Sequence, residues 1–155
     1  VTARRPGPGR DPDLATELMY FAYRGFVGEA DRILAARDLN RAHHRVLFFV
    51  ARLRSPTVGE LIRTLAVSKQ ALALPLRELK AQDLVAWTVD PDDARVKRLA
   101  LTPDGGRLLA RLSATQRRAF RRAFGAAGAR STAAWFATMR ELAATELGRS
   151  GRDLG

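Results

Sequence analysis

The chain has 155 residues, 27 Lys and Arg against 16 Asp and Glu for a formal net charge of +11, 46% hydrophobic residues, two histidines and no cysteine. That length holds one core and argues against an independent second domain, and the apolar content excludes a disordered basic tail. Without cysteine there are no disulfides, thiolate metal sites or thiol switches, while the positive balance suits a polyanion such as nucleic acid or an anionic membrane surface, and fits a merely soluble basic protein about as well.

Residues 1–13 read as a loose arm, with Pro6, Gly7, Pro8 and Gly9 and no apolar core of a signal peptide. Apolar residues then return at Leu14, Leu18, Phe21, Ala22, Phe26, Ile33 and Leu34, the period of an amphipathic helix over 14–36. Asn40 suits the N-cap of a second helix with Val46, Leu47, Val50 and Leu53 on its inner side, which Ser55-Pro56 ends. Thr57 and Glu60 have capping-box spacing and predict a short helix from Val58 to about Ala66; Ser68 caps a fourth from Lys69 to about Gln82. Three short helices joined by tight turns form a helix-turn-helix layout.

After Asp83 the period changes. Val85, Trp87 and Val89 alternate with Ala86 and Thr88, Asp90-Pro91-Asp92-Asp93 makes a turn, and Val96, Leu99 and Leu101 return, which predicts a β-hairpin. Thr102-Pro103 starts a long basic helix with Leu108, Leu109, Leu112, Phe120 and Phe124, weakened at Gly125 and Gly128. A last helix is predicted from about Thr132 to Leu147, stopped by Gly148, with a fraying tail from Arg149. The longest strongly apolar run, Val46 to Ala51, falls far short of the roughly 20 residues of a membrane span, so the expected location is the cytoplasm, with no membrane partner.

On the fourth helix Leu72, Leu76 and Leu79 share one side, which turns Lys69, Gln70, Ala73, Leu74 and Arg77 outward. Those residues offer donors for base edges and phosphates, small or apolar groups for a thymine methyl, and no acid. A solvated helix face is the competing reading, and the position of this helix, second in a two-helix unit and just before a hairpin, weighs against it. Pro75 removes one helical bond and predicts a bend rather than an end, because Leu76 and Leu79 keep the register. The hairpin tip carries Asp93 and Arg95, followed by Lys97 and Arg98, a set suited to a narrow minor groove and equally to an ordinary polar turn. Adjacent His43 and His44 point about 100° apart on a helix without a convergent third ligand, so they predict no metal site. No nucleophile–base or paired-carboxylate arrangement appears, so neither catalytic residues nor a cofactor is expected. In the run Arg117 to Phe124, arginines and phenylalanines fall on separate faces of one helix, a solvated and a packed side.

The ordered set Leu39 to Leu47, Thr57-Val58-Gly59-Glu60-Leu61, Val67 to Leu72, Leu79, Leu84-Val85, Asp93-Ala94-Arg95 and Leu99 to Gly105 resembles the MarR family, regulators of the multiple-antibiotic-resistance type. The resemblance implies a mainly α fold with a small β-hairpin wing (α+β): a winged helix-turn-helix lobe over residues 40–102, and dimerisation helices over 14–39 and 103–148 of a single domain ending at 148. It implies a homodimer on a pseudo-palindromic double-stranded operator, acting as a ligand-responsive transcriptional regulator, with repression the expected outcome. Ser68, Lys69, Gln70, Ala73, Leu74 and Arg77 then fall on the recognition helix, Arg95 on the wing arginine, and Lys97 and Arg98 beside it. A small-molecule effector between the dimerisation and DNA-binding parts would meet His43 or His44 and aromatics such as Phe21, Tyr23 or Phe26. The sequence departs from the family at Asp83, where a glycine usually closes the recognition helix, and at Leu74 and Pro75. An architectural protein that binds DNA without sequence preference, and a protein-interaction module on the same fold, are the alternatives.

Overall fold

The computed structural model describes residues 11–90 and 92–151. These form α1 (Pro12–Ala35), α2 (Arg41–Arg52), α3 (Val58–Leu65), α4 (Lys69–Ala81), β1 (Val85–Val89), β2 (Lys97–Leu101) and α5 (Pro103–Ser150), with β1 and β2 antiparallel. Of the arm expected over 1–13, residues 1–10 lie outside the described residues, but Asp11 already N-caps α1. Its carboxylate accepts from the N–H of Asp13 at 3.0 Å and of Leu14 at 3.3 Å. The helix thus begins two residues ahead of Leu14, with Pro12 in the first turn, where its missing N–H has no helical partner to lose.

The capping residues act as their chemistry predicts. Asn40 Oδ1 accepts from Ala42 N–H at 2.9 Å, and Ser68 Oγ accepts from Ala71 N–H at 3.1 Å. Thr57 and Glu60 bond reciprocally: Thr57 N–H donates to Glu60 Oε2 at 2.7 Å and Glu60 N–H to Thr57 Oγ1 at 3.2 Å. Ala66 takes a left-handed conformation (φ 51°) to make the tight turn between α3 and α4, and Asp83 (φ 52°) does so to close α4 without glycine. Asp is among the few non-glycine residues that visit this region readily. Helix α4 continues through Pro75, which is buried beside Leu72 and Leu79, while Leu76 packs partly buried against the same core.

One cluster joins Leu34 of α1, Leu47 and Val50 of α2, Leu61 of α3, Leu79 of α4, Leu99 of β2 and Leu112 of α5. The hairpin pairs Val85 with Leu101, Trp87 with Leu99 and Val89 with Lys97. Val85 and Leu99 are buried and Leu101 is half-buried, whereas Trp87 (39%) and Val89 (64%) are exposed, against the expected inward alternation. The outer half of the ribbon projects past the helical core, so period 2 no longer sorts residues into inside and outside. Strand β2 is also stitched to the α2–α3 connection: Leu99 N–H donates to the Pro56 carbonyl at 2.8 Å, and Thr57 and Arg98 form an isolated bridge.

The two helices expected after the hairpin are both present: the run Pro103–Ser150 is broken at Gly128, whose φ of 80° and ψ of 167° are not helical and which only glycine adopts easily. The second arm resumes directly, ahead of the predicted Thr132, and passes through Gly148 to end at left-handed Gly151 (φ 65°). The predicted stop at Gly148 is therefore displaced, and Arg149 and Ser150 are helical; residues 152–155 lie outside the described residues. The two arms meet where Trp135 packs edge-on against Phe120 (5.2 Å) and Phe124 (5.3 Å). Phe120 also meets Phe26 of α1 at 4.9 Å.

Candidate nucleic-acid interface

Helix α4 buries Leu72, Pro75 and Leu79 and exposes Ser68, Lys69, Gln70, Ala73, Leu74 and Arg77. The side chains singled out in the sequence thus share an outward face, and Lys69 and Arg77 form no ion pair among the described residues. The one acid on this helix, Glu78, bonds His43 at 2.7 Å. Lys69 and Arg77 therefore have no ion pair to break before meeting a ligand, whereas the Ser68 hydroxyl is engaged in capping the helix.

Beside this face stands the hairpin tip. Asp90 builds it: the Asp90 carboxylate accepts the N–H of Asp92 at 2.8 Å and of Asp93 at 3.1 Å, and Asp90 N–H donates to the Val96 carbonyl at 3.0 Å. Pro91 lies outside the described residues. Arg95 at the tip is 95% exposed, with Asp93 as its one ion-pair partner among the described residues at 3.8 Å, and Lys97 is exposed.

Arg98 needs a correction. Grouped with the outward cations by sequence, it turns back into the protein: its Nε donates to Asp90, and one terminal nitrogen donates to the Ser55 carbonyl at 3.1 Å and lies 3.6 Å from Glu60. A guanidinium offers donors in a fixed fork, and here the fork ties the wing loop to the start of α3. The hydrogen bond from Arg98, then those from the Asp92 and Asp93 backbone, hold the Asp90 carboxyl below its ordinary 3.8. Glu60 is likewise held low, first by Thr57 N–H. In the sequence Glu60 reads as a capping-box residue and Asp90 as a turn residue, and neither as an anchor of Arg98.

The residues assigned to an effector separate. Tyr23, Phe26 and His44 line one cavity of about 390 Å³ together with Val27, Asp31, Arg41, Arg45, Phe48 and Gln116. Phe21 is not among its walls; it is exposed on α1 and packs edge-on with Tyr20 at 5.2 Å. His43 is absent too, being 1% exposed and turned toward α4. In the wall, Arg41 grips Asp31 through Nε (2.9 Å) and a terminal nitrogen (2.6 Å) and lies over the Tyr23 ring at 5.2 Å. Among the described residues His44 Nε2 has no hydrogen-bond partner although it is buried, and burial pushes this imidazole below its ordinary 6.5, opposed by Asp31. Among the described residues no three His, Asp or Glu side chains converge as metal ligands, and no helix is long and apolar enough to cross a membrane.

Short helices α2 to α4, a basic unpaired face on the last of them, and an arginine-tipped hairpin immediately after it define a winged helix-turn-helix protein. A family model described as MarR family matches residues 37–96. The chain is 44% identical over 117 residues to the HTH-type transcriptional regulator PetP of Rhodobacter capsulatus, an alignment covering 76% of this chain and 70% of that protein. A MarR-family transcriptional regulator from Silicibacter pomeroyi superimposes with a TM-score of 0.69 at 25% identity, covering 91% of this chain and 96% of that one. A mutant of E. coli MarR crystallised with operator DNA does so with a TM-score of 0.63 at 19% identity, over 82% and 91% of the two chains. The chain belongs to the MarR family: it is a DNA-binding transcriptional regulator and not an enzyme.

Proposed function

We propose that two copies of the chain form a twofold dimer that represses transcription in the cytoplasm by occupying a pseudo-palindromic operator. Recognition helices α4 enter successive major grooves about 34 Å apart, and Arg95 of each wing reaches the flanking minor groove. Lys69, Gln70 and Arg77 supply donors to bases and phosphates, Ala73 and Leu74 supply apolar contact, Ser68 lies at the helix start beside the backbone, and Lys97 adds charge along the wing. Arg98 acts by holding the wing. The carrying observation is the α4 row with its unpaired Lys69 and Arg77, next to a 95% exposed Arg95. The dimer is supported by the apolar surface of α1 and α5, where Leu18, Tyr20, Phe21 and Leu142 stand more than half exposed. Several large apolar side chains left exposed on the same helices are what an association face requires.

A small molecule with an apolar body occupies the cavity beside His44, Tyr23 and Phe26, where the buried Nε2 offers an unused hydrogen-bonding position. Binding there shifts the population of lobe separations away from the spacing that fits DNA. Gel-shift titration of Arg77→Ala and Arg95→Ala on a duplex enriched by the protein from a random pool tests the reading. Each substitution removes two cations per dimer, so affinity falls and the slope of log K against log salt drops by about 1.8, with the dimer intact. Unchanged affinity in both variants removes these roles.

A further inference from the structure

His43 stands apart from the site above, yet among the described residues it is the polar side chain most completely enclosed, at 1% exposure. Both ring nitrogens are used. Nδ1 accepts the Asn40 N–H at 3.1 Å, closing the capping box of α2, with Asn40 Oδ1 at the same distance, and a ring that accepts at Nδ1 carries its proton on Nε2. That Nε2–H donates to Glu78 Oε2 of α4 at 2.7 Å. A capping box fixes where His43 sits along α2, and the second bond carries that fixed position across to the recognition helix.

Helix α4 has particular need of an external reference. Pro75 has no N–H for the Ala71 carbonyl, so the segment bearing Lys69 and Gln70 is joined to the segment bearing Arg77 by one helical bond fewer. The buried face, Leu72, Pro75 and Leu79, holds the helix by apolar packing, which is not directional. Glu78 lies beyond the proline, next to Arg77, and its bond to a rigid ring is directional. Reading groups have to be held within roughly 0.5 Å and 10–20° of their working geometry, which packing alone secures less well than a charge-assisted bond.

We propose that His43 is a positioning residue for base reading: through Glu78 it sets the angle of α4 beyond Pro75 and so aims Arg77 at its base edge. The inference rests on the proposed groove-reading role of α4. It assigns His43 to the DNA-reading machinery instead of the effector cavity, while His44, one position along α2, faces that cavity. The same turn of α2 therefore touches both the cavity and the recognition helix.

The test compares Glu78→Ala with Glu78→Gln. The Glu78 side chain is 43% exposed, so both variants keep the core, and both remove the same negative charge. Only Gln retains a carbonyl oxygen to accept from His43 Nε2–H. Each full-length variant is titrated with a duplex enriched by the wild-type protein from a random pool and with a scrambled duplex of equal length. The expected result is a specific-to-scrambled affinity ratio for Glu78→Ala about tenfold below that for Glu78→Gln, the scale of one lost base contact. In a Glu78→Ala background, Arg77→Ala should then cost less specific affinity than it does in the wild type. Ratios for Ala and Gln within threefold of each other overturn the inference, including the case where both duplexes weaken alike, as a purely stabilising bond would produce. A wild-type protein with no preference between the duplexes overturns the groove-reading role itself.

Discussion

The sharpest structural constraint on the lobe that carries the wing is Gly105, and replacing it by alanine puts a number on it. A Cβ built on Gly105 meets the Leu84 carbonyl oxygen at 1.9 Å, at least 1.1 Å inside the 3.0 Å below which real Cβ contacts essentially never occur. The obstacle is backbone, so it cannot rotate away. Leu84 starts the wing directly after α4, and its carbonyl also accepts Thr102 N–H at 3.2 Å, while Thr102 Oγ1 donates to the Asp83 carbonyl at 2.5 Å. Relief therefore means separating α5 from the junction of recognition helix and wing. Overpacking of this kind costs about 3 kcal/mol. For a chain of this size that lowers Tm by roughly 6–12 °C at fixed protein concentration. Gly106 is the control, because a Cβ there meets nothing within 4 Å. Alanine at 106 should stabilise by about 0.5–1 kcal/mol, as it does in a helix interior. Circular-dichroism melts that place Gly105→Ala level with the wild type or with Gly106→Ala would refute the reasoning about this junction.

Thr57→Ala removes the acceptor for Glu60 N–H and should cost about 1 kcal/mol, read as a lowered urea midpoint with unchanged slope. Asp90 has a folded-state pKa below its ordinary 3.8, so its contribution is complete above 3.8 and disappears as pH falls through the lowered value. Acid titration followed by Trp87 emission in a Trp135→Phe background should show a wing transition below that pH, and Asp90→Asn should abolish it. The depressed His44 imidazole stays neutral in the folded state at pH values where the unfolded chain takes up a proton. Its contribution is complete above 6.5 and declines as pH falls from there through the folded value. His44→Phe should flatten the stability profile between about pH 7 and 5 in denaturant titrations; an unchanged slope would contradict the desolvation argument.

Features set by neighbours in sequence were legible before the fold was known. Asn40, Thr57, Ser68 and Thr102 cap helices through groups two or three residues away, so their spacing already carries the geometry. The outward row of α4 followed from helical period alone, and the hairpin from the change to period 2. Arg98 was misplaced because its acceptors Asp90 and Ser55 lie eight and 43 positions away, and a basic residue in a wing looks the same whether it faces solvent or its own protein. His43 was illegible for the same reason, its partner on α4 being 35 residues distant. Gly125 and Gly128 weaken the long helix equally on paper; the packing of Trp135 on Phe120 and Phe124 needs the chain to turn back, and the break falls at Gly128. The close approach at Gly105 left no local trace, since Gly105-Gly106 reads only as a poor helix start.

Footprinting of the wild-type protein on its enriched duplex bears most directly on the pairing of two α4 faces with DNA. Major-groove methylation interference and hydroxyl-radical cleavage should reveal two protected segments related by a dyad, centred about 34 Å apart, with minor-groove protection outside each that is lost in Arg95→Ala, at two chains per duplex. A single protected segment at one chain per duplex, or protection spread evenly without regard to sequence, would contradict it.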